Sequence, residues 1–149
     1  MKISKRSSQN KKILIIGNGR WAQEYIKELL SFINNKKIYI FINNYNSQKL
    51  KNKFKINYLL NLKEIKDKKI SHIIICNKTT NHYKIFKLIK AFKVKTLIEK
   101  PLTHSATLNK VILKYSKKND KKFYLSSQHY FSSFFQKVGD IIQKKKIIF

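Results

Sequence analysis

The sequence predicts a doubly wound α/β fold: a six-stranded, mainly parallel sheet with helices on both of its faces. Three observations carry that expectation. Six short apolar runs, rich in Ile, Leu and Tyr, alternate along the chain with segments whose apolar residues recur at helical spacing. The connections between them are short, which suits right-handed crossovers between parallel neighbours. The 149 residues are enough for one layered domain with a sizeable core and too few for two ordinary ones.

Residues 1–10 are polar, basic and aperiodic, and read as a flexible tail. From Lys11 the elements follow in order. "KKILIIG" is β-branched and apolar and ends in Gly17, which suits a strand buried on both faces. "WAQEYIKELLSFI" (21–33) then sets Tyr25, Leu29, Phe32 and Ile33 at helical spacing. "KIYIFI" (37–42) predicts a second strand, "NSQKLKNKF" (46–54) a short helix, and "INYLL" (56–60) a third strand. "LKEI" (62–65) suits one helical turn before "KISHIIIC" (69–76), the most continuous apolar run and hence a central strand. "NHYKIFKLIKAF" (81–92) puts Ile85, Leu88, Ile89 and Phe92 on one helical face, and "VKTLIE" (94–99) is a fifth strand. "SATLNKVILKYSKKN" (105–119) reads as a helix, "KKFYLSS" (121–127) as a sixth strand and "FSSFFQKVGDIIQ" (131–143) as a closing helix. One domain over residues 11–143 is therefore expected, with 144–149 outside it.

The formal net charge of +27 comes from 34 Lys and Arg against 7 Asp and Glu, and charge alone would suggest a polyanionic partner. Two features argue against a dedicated nucleic-acid site. Arginine, the preferred bidentate reader of phosphate and guanine, occurs only at Arg6 and Arg20. The lysines are dispersed instead of forming a stripe, and the accompanying wealth of Ile, Asn, Tyr and Phe matches a bias toward AT-rich codons. Weak, salt-sensitive adhesion to polyanions is the expectation, without a specific nucleic-acid or membrane partner. The single cysteine, Cys76, excludes an intrachain disulfide and fits a reducing compartment. No signal-peptide core or long apolar run is present, so a cytoplasmic protein is expected.

Chemistry first shows in "IIGNGRWA". Gly17-Asn18-Gly19-Arg20-Trp21-Ala22 fits the dinucleotide-binding fingerprint, with alanine at its third small position, and it lies between a strand and a helix. Gly17 would permit the tight turn, and Gly19 would let a pyrophosphate approach the positive end of the helix dipole. This is the start of a Rossmann-type domain. The acidic residue that would hold an adenosine ribose after the second strand is missing: no carboxylate occurs between Glu28 and Glu64. Asn43 or Asn44 could bond a ribose hydroxyl instead, and with Lys49 and Lys51 near, a 2′-phosphate would meet no repulsion. The cofactor expected is NAD or NADP, with NADP favoured.

In such a sheet the residues after strands one, four and five line one crevice: Gly17 to Trp21, Cys76 to His82, and Glu99 to Thr103. The region "HIIICNKTTNHYKIFKLIKAFKVKTLIEKPLTHS" resembles the signature region of the Gfo/Idh/MocA oxidoreductases, the glucose-fructose oxidoreductase and inositol dehydrogenase family. The Glu99-Lys100-Pro101 triplet, the glycine loop and the distance between them carry the likeness, which extends from Lys11 onward. The resemblance implies an NAD(P)-binding domain with Lys100 at the catalytic position, Glu99 supporting it and Pro101 shaping the turn. A cis X-Pro bond, common there in the family, costs only about 1 kcal/mol. Hydride transfer at a hydroxyl-bearing carbon needs a nearby acid or cation for the developing alkoxide, and a lysine on the crevice wall supplies one.

The sequence also departs from the family. Asn77-Lys78 stands where Thr-Pro is usual, followed by Thr79 and Thr80, and His82 keeps its position as a helix-opening hydrogen bonder. Gln128, His129 and Tyr130 stand where Asn, Tyr and Arg are common, and Gln128 is expected to face the cofactor. Cys76 reads as a small core residue beside the cofactor, His72 and His104 as structural or solvated, and no metal site is expected. The family's second domain, which carries the substrate pocket and usually the oligomer interface, has no counterpart here; "KKKIIF" reads as its first strand. A partial chain is therefore expected, from a truncated frame, a pseudogene or a fragment, with oligomers forming only if the second domain is present. The leading expectation is the cofactor half of an oxidoreductase acting on a sugar or polyol. The alternatives are a non-catalytic or decayed nucleotide-binding module and, further off, a basic nucleic-acid binder.

Overall fold

A computed structural model describes residues 11–41, 46–118 and 123–126. The expected tail (1–10), closing helix (131–143), final strand (144–149), Asn43, Asn44, Gln128, His129 and Tyr130 lie outside the described residues.

The strands are β1 (Ile13–Ile16), β2 (Ile38–Phe41), β3 (Asn57–Tyr58), β4 (His72–Ile75), β5 (Lys95–Ile98) and β6 (Phe123–Leu125). They form one sheet in the order β3-β2-β1-β4-β5-β6, and every ladder is parallel. This is the strand order of a doubly wound dinucleotide fold, with its reversal between β1 and β4. The central register sets Ile16 beside Phe41 and Ile75, and Ile75 beside Ile98, so the carboxyl ends of β1, β4 and β5 finish level. All four residues of β1 and of β2 are buried, as a strand covered on both faces requires.

The helices are α1 (Arg20–Leu30), α2 (Asn46–Phe54), the single turn α3 (Glu64–Asp67), α4 (Thr79–Ile89) and α5 (Ala106–Lys118). Alternate strand residues feed two cores. Ile13, Ile15, Ile38, Ile40, Ile74 and Cys76 pack with Ala22, Ile26 and Leu29 of α1 and Leu50 of α2. Leu14, Ile16, Ile73, Ile75 and Ile98 pack with Ile65 of α3, Ile85, Phe86 and Ile89 of α4, and Ile112 of α5. Phe86 anchors the second core, meeting Tyr115 and Phe123 edge-on with ring centroids 5.4 and 5.3 Å apart.

Some details differ from the sequence reading. β3 keeps only two of the five residues expected, and Leu60 beyond it is 80% exposed. Ser31 ends α1, its N–H and hydroxyl both donating to the Glu28 carbonyl, so Phe32 swings out to solvent while Ile26 takes the buried face. In α4 the buried stripe is His82, Ile85, Phe86 and Ile89, and Leu88 is exposed. The polar His82 begins that stripe, which shifts it one residue from the purely apolar pattern. Among the described residues no helix is long and apolar enough to cross a membrane.

Candidate functional site

Gly17 lies where β1 turns into α1, with φ +146°. A Cβ there would fall 2.7 Å from the carbonyl carbon and oxygen of Cys76 and 2.8 Å from the Asn77 nitrogen. Glycine is therefore demanded twice, by backbone conformation and by close approach to the end of β4. Gly19 contrasts with it: its φ is −75°, and a Cβ would meet nothing within 4 Å among the described residues. Packing among the described residues does not require that glycine. The space beside it opens at the amino end of α1, whose cap makes no side-chain hydrogen bond and whose first turn carries no acid. First-turn N–H groups without a cap and with the positive end of the helix dipole are suited to an anion. Asn18 and Arg20 are exposed beside it, and Trp21 is half exposed.

The loop after β4 forms the opposite wall. Cys76 is buried, and burial followed by the nearby Glu99 charge pushes its thiol up to about 12, so it stays protonated and is a packing residue at neutral pH. Asn77 Oδ1 is buried and has no hydrogen-bond partner among the described residues. Such an orphaned acceptor is uncommon in native proteins and fits a ligand that donates to it. Lys78 caps α4 without a side-chain bond, and Thr79 and Thr80 form its first turn, so a second helix opens at this end of the sheet.

His82 joins this loop to the next. It is 1% exposed; Nε2 lies 2.9 Å from the Asn77 carbonyl oxygen, and Nδ1 lies 3.2 Å from those of both Pro101 and Leu102. Its bonds reach backward and across the crevice, which refines the expected helix-opening role. The Lys100–Pro101 peptide is cis, and Lys100 is exposed directly after β5. Glu99 is 7% exposed, its N–H donating to the Ile75 carbonyl at 2.8 Å. Its Oε1 accepts from the Tyr25 hydroxyl and its Oε2 from the Lys100 N–H at 3.1 Å. Ser126 Oγ lies 3.3 Å from the Tyr25 hydroxyl. Burial, followed by the Glu99 bond, pushes the Tyr25 phenol up to about 12.

Gly17, Gly19, Cys76, Asn77, Lys78, His82, Glu99 and Lys100 thus gather at the carboxyl ends of β1, β4 and β5, whereas Asn43 and Gln128 lie outside the described residues. Sequence reasoning missed Tyr25 and Ser126. Tyr25 read as one of several apolar positions on a helix, and nothing local ties it to a glutamate 74 residues on. His72 and His104 stand apart: His72, in β4 at the far end of the sheet, is held below the usual histidine range by burial, then by Lys11 and Lys95, and His104 is exposed. A groove of about 390 Å³ at that far end is lined by Ile13, His72, Ile74, Lys95, Leu97 and Tyr124. Its walls are mainly apolar and it sits at the amino ends of the strands, away from the crevice that a doubly wound sheet offers to ligands. No group of three or more metal-ligating side chains occurs among the described residues.

Comparison with known proteins agrees with this geometry. The model of the Gfo/Idh/MocA oxidoreductase family, NAD-binding Rossmann fold, matches residues 11–127. No curated protein matches the chain. Among solved structures, a Gfo/Idh/MocA family oxidoreductase from Vibrio cholerae has a TM-score of 0.75 at 18% identity, over 91% of this chain and 44% of its own. GenD2 from gentamicin A biosynthesis, in complex with NAD, has a TM-score of 0.74 at 13% identity, over 93% of this chain and 40% of its own. A biliverdin reductase from Synechocystis sp. PCC 6803, in complex with biliverdin and NADP+, has a TM-score of 0.69 at 16% identity, over 89% and 43%. The chain therefore spans less than half the length of the solved structures it matches.

Proposed function

The chain belongs to the Gfo/Idh/MocA oxidoreductases through their NAD-binding Rossmann domain, and from that premise we propose that it forms the cofactor half of an enzyme transferring a hydride to or from a sugar- or polyol-type substrate. The observation that carries the proposal is the contrast between the two loop glycines. One is closed against the end of β4, and the other faces open space at an uncapped helix terminus. That space suits a pyrophosphate, bound by the first-turn N–H groups with Asn18, Arg20 and Trp21 around it. Asn43 would serve the adenosine ribose, and the loop from Cys76 to Thr80, with Gln128, would line the nicotinamide side. Asn77 offers its orphaned acceptor there.

A nicotinamide dinucleotide supplies the hydride chemistry when bound. The protein's contribution is placement and proton management: Lys100 would hold or deliver a proton at the substrate oxygen, with Glu99 and His82 fixing the turn that carries it. NADP is the favoured form, because no acid follows β2 and lysines do. The substrate is a small molecule, the compartment is the cytoplasm, and oligomers form through a second domain. Fluorescence titration with NADPH and NADH tests the cofactor claim. Saturable binding of either, tighter for NADPH, is expected; no saturation below millimolar concentration would overturn it. In a version carrying a second domain, Lys100→Ala should abolish turnover, and an unchanged rate would remove Lys100 from the mechanism.

A further inference from the structure

We infer that Tyr25 is the positioning residue for Lys100, acting through the buried carboxylate of Glu99 as a strut between the cofactor-facing helix and the turn after β5. The inference deepens the reading above and rests on it for the importance of Lys100. It begins with the donors of the turn. The Glu99 N–H is taken by the β ladder at Ile75, and Pro101 has no N–H. The lysine's own backbone donor, the Lys100 N–H, therefore anchors it from within the turn, and its partner is Glu99 Oε2 at 3.1 Å.

That partner must itself be held. A carboxylate 7% exposed is tolerated only when its oxygens are bonded, and Oε1 is satisfied by the Tyr25 hydroxyl. The hydroxyl can donate to Glu99 while its oxygen accepts from Ser126 Oγ–H, which gives an ordered run from β6 through α1 to β5. The raised phenol keeps Tyr25 a neutral donor across the physiological range. From the other side, His82 faces the carbonyls of Pro101 and Leu102. The turn is therefore faced on its carbonyl side by His82 of α4 and held at the Lys100 amide by Glu99, which Tyr25 of α1 holds in turn. Tyr25 stands on the same helix whose amino end faces the crevice, so a ligand seated at that end and the lysine are referenced to one rigid body.

The test uses the full 149-residue chain, ¹⁵N-labelled and with ¹³Cζ-labelled tyrosine, as wild type, Tyr25→Phe and Glu99→Gln. In Tyr25→Phe, hydrogen exchange of the Lys100 amide should accelerate about tenfold or more while core amides such as Ile40 and Ile73 keep their protection. A role limited to packing would move neither signal, because the ring is retained. In Glu99→Gln the Tyr25 phenol should titrate below its wild-type value of about 12; this second variant decides the matter if Tyr25→Phe fails to fold. Unchanged Lys100 exchange with an intact core, or an unchanged phenol in Glu99→Gln, would overturn the inference. NADPH titration of the wild type separates this from the cofactor reading. Binding with an unresponsive Lys100 amide defeats the strut alone, and a responsive amide without binding defeats the cofactor reading alone.

Discussion

Replacing each loop glycine by alanine should give opposite results in two assays. At Gly17 the new methyl would lie 2.7 Å from the Cys76 carbonyl group, backbone that cannot swing away, at φ +146°. A backbone conformation of this kind costs an L-residue about 1–3 kcal/mol, and overpacking adds about 1–3 more. Restricting the unfolded chain returns only about 0.4–1 kcal/mol. A net loss of about 1–5 kcal/mol is a large part of the ~5–15 kcal/mol that holds such a domain, and at a urea slope of ~2 kcal/mol per molar it lowers the midpoint by about 0.5–2.5 M. At Gly19 φ is −75° and no described residue lies within 4 Å of an added Cβ, so the unfolded-state gain and the poorer helix cap nearly cancel, within about 1 kcal/mol. The Gly19→Ala methyl would instead occupy the space assigned to a phosphate. An overpacking cost of ~1–3 kcal/mol predicts NADPH affinity weaker by about 5- to 150-fold. Urea unfolding by circular dichroism reads the first effect and fluorescence titration the second. Wild-type stability in Gly17→Ala, or wild-type affinity in Gly19→Ala, would refute the reasoning.

Three further outcomes follow. Alkali should destabilise the fold: Cys76 and Tyr25 both sit near 12 when folded against about 9 and 10 otherwise, so the unfolded chain loses their protons first. Their contribution is complete below pH ~9 and is lost as pH rises toward 12. Urea midpoints measured from pH 8 to 11 should fall, and less so in Cys76→Ala. His82→Ala removes the ring N–H that faces carbonyls of Asn77 on one side or of Pro101 and Leu102 on the other, leaving at least one carbonyl in a buried site without its donor. At ~1–3 kcal/mol for the unsatisfied group, a fall in Tm of roughly 3–10 °C is expected, and an unchanged calorimetric Tm would contradict the clamp. Lys69 stands at φ 54° after α3, where Lys69 and Ile70 N–H donate to the carbonyls of Lys66 and Ile65 in a Schellman arrangement. Lys69→Gly should stabilise by about 0.5–1 kcal/mol, the ~1–2 kcal/mol left-handed penalty less the extra freedom of unfolded glycine; a lower urea midpoint would count against it.

Those lysines explain part of what the sequence conceals. Lys55, Lys69 and Lys93 all take left-handed conformations at the ends of helical segments, positions where glycine ordinarily marks the stop. With three glycines in the whole chain, those stops carry no signal, and the helix expected over 81–92 ends at Ile89 before a short 3₁₀ turn. The strands were legible because Ile-rich runs buried on both faces have no polar alternation to confuse them, whereas two-residue β3 at the sheet edge was overestimated. Buried stripes were misplaced where a polar or small residue belongs to them, as His82 does in α4 and Ala22 in α1. At the crevice, the glycine loop and the Glu99-Lys100-Pro101 triplet were visible because each is a local pattern with a local reason. The Tyr25–Glu99 bond and the three carbonyls around His82 were not, since they depend on register across the sheet between residues far apart in the chain.

The most direct test of a cofactor crevice at the carboxyl ends of β1, β4 and β5 is an amide chemical-shift map of the ¹⁵N-labelled chain during titration with NADPH. Saturable shifts at Gly17, Asn18, Gly19, Arg20, Asn77, Lys78 and Lys100 are predicted, with Ile13, His72 and Lys95 at the far end of the sheet unmoved. Absence of saturable shifts, or shifts gathered around Ile13, His72 and Lys95, would contradict the assignment.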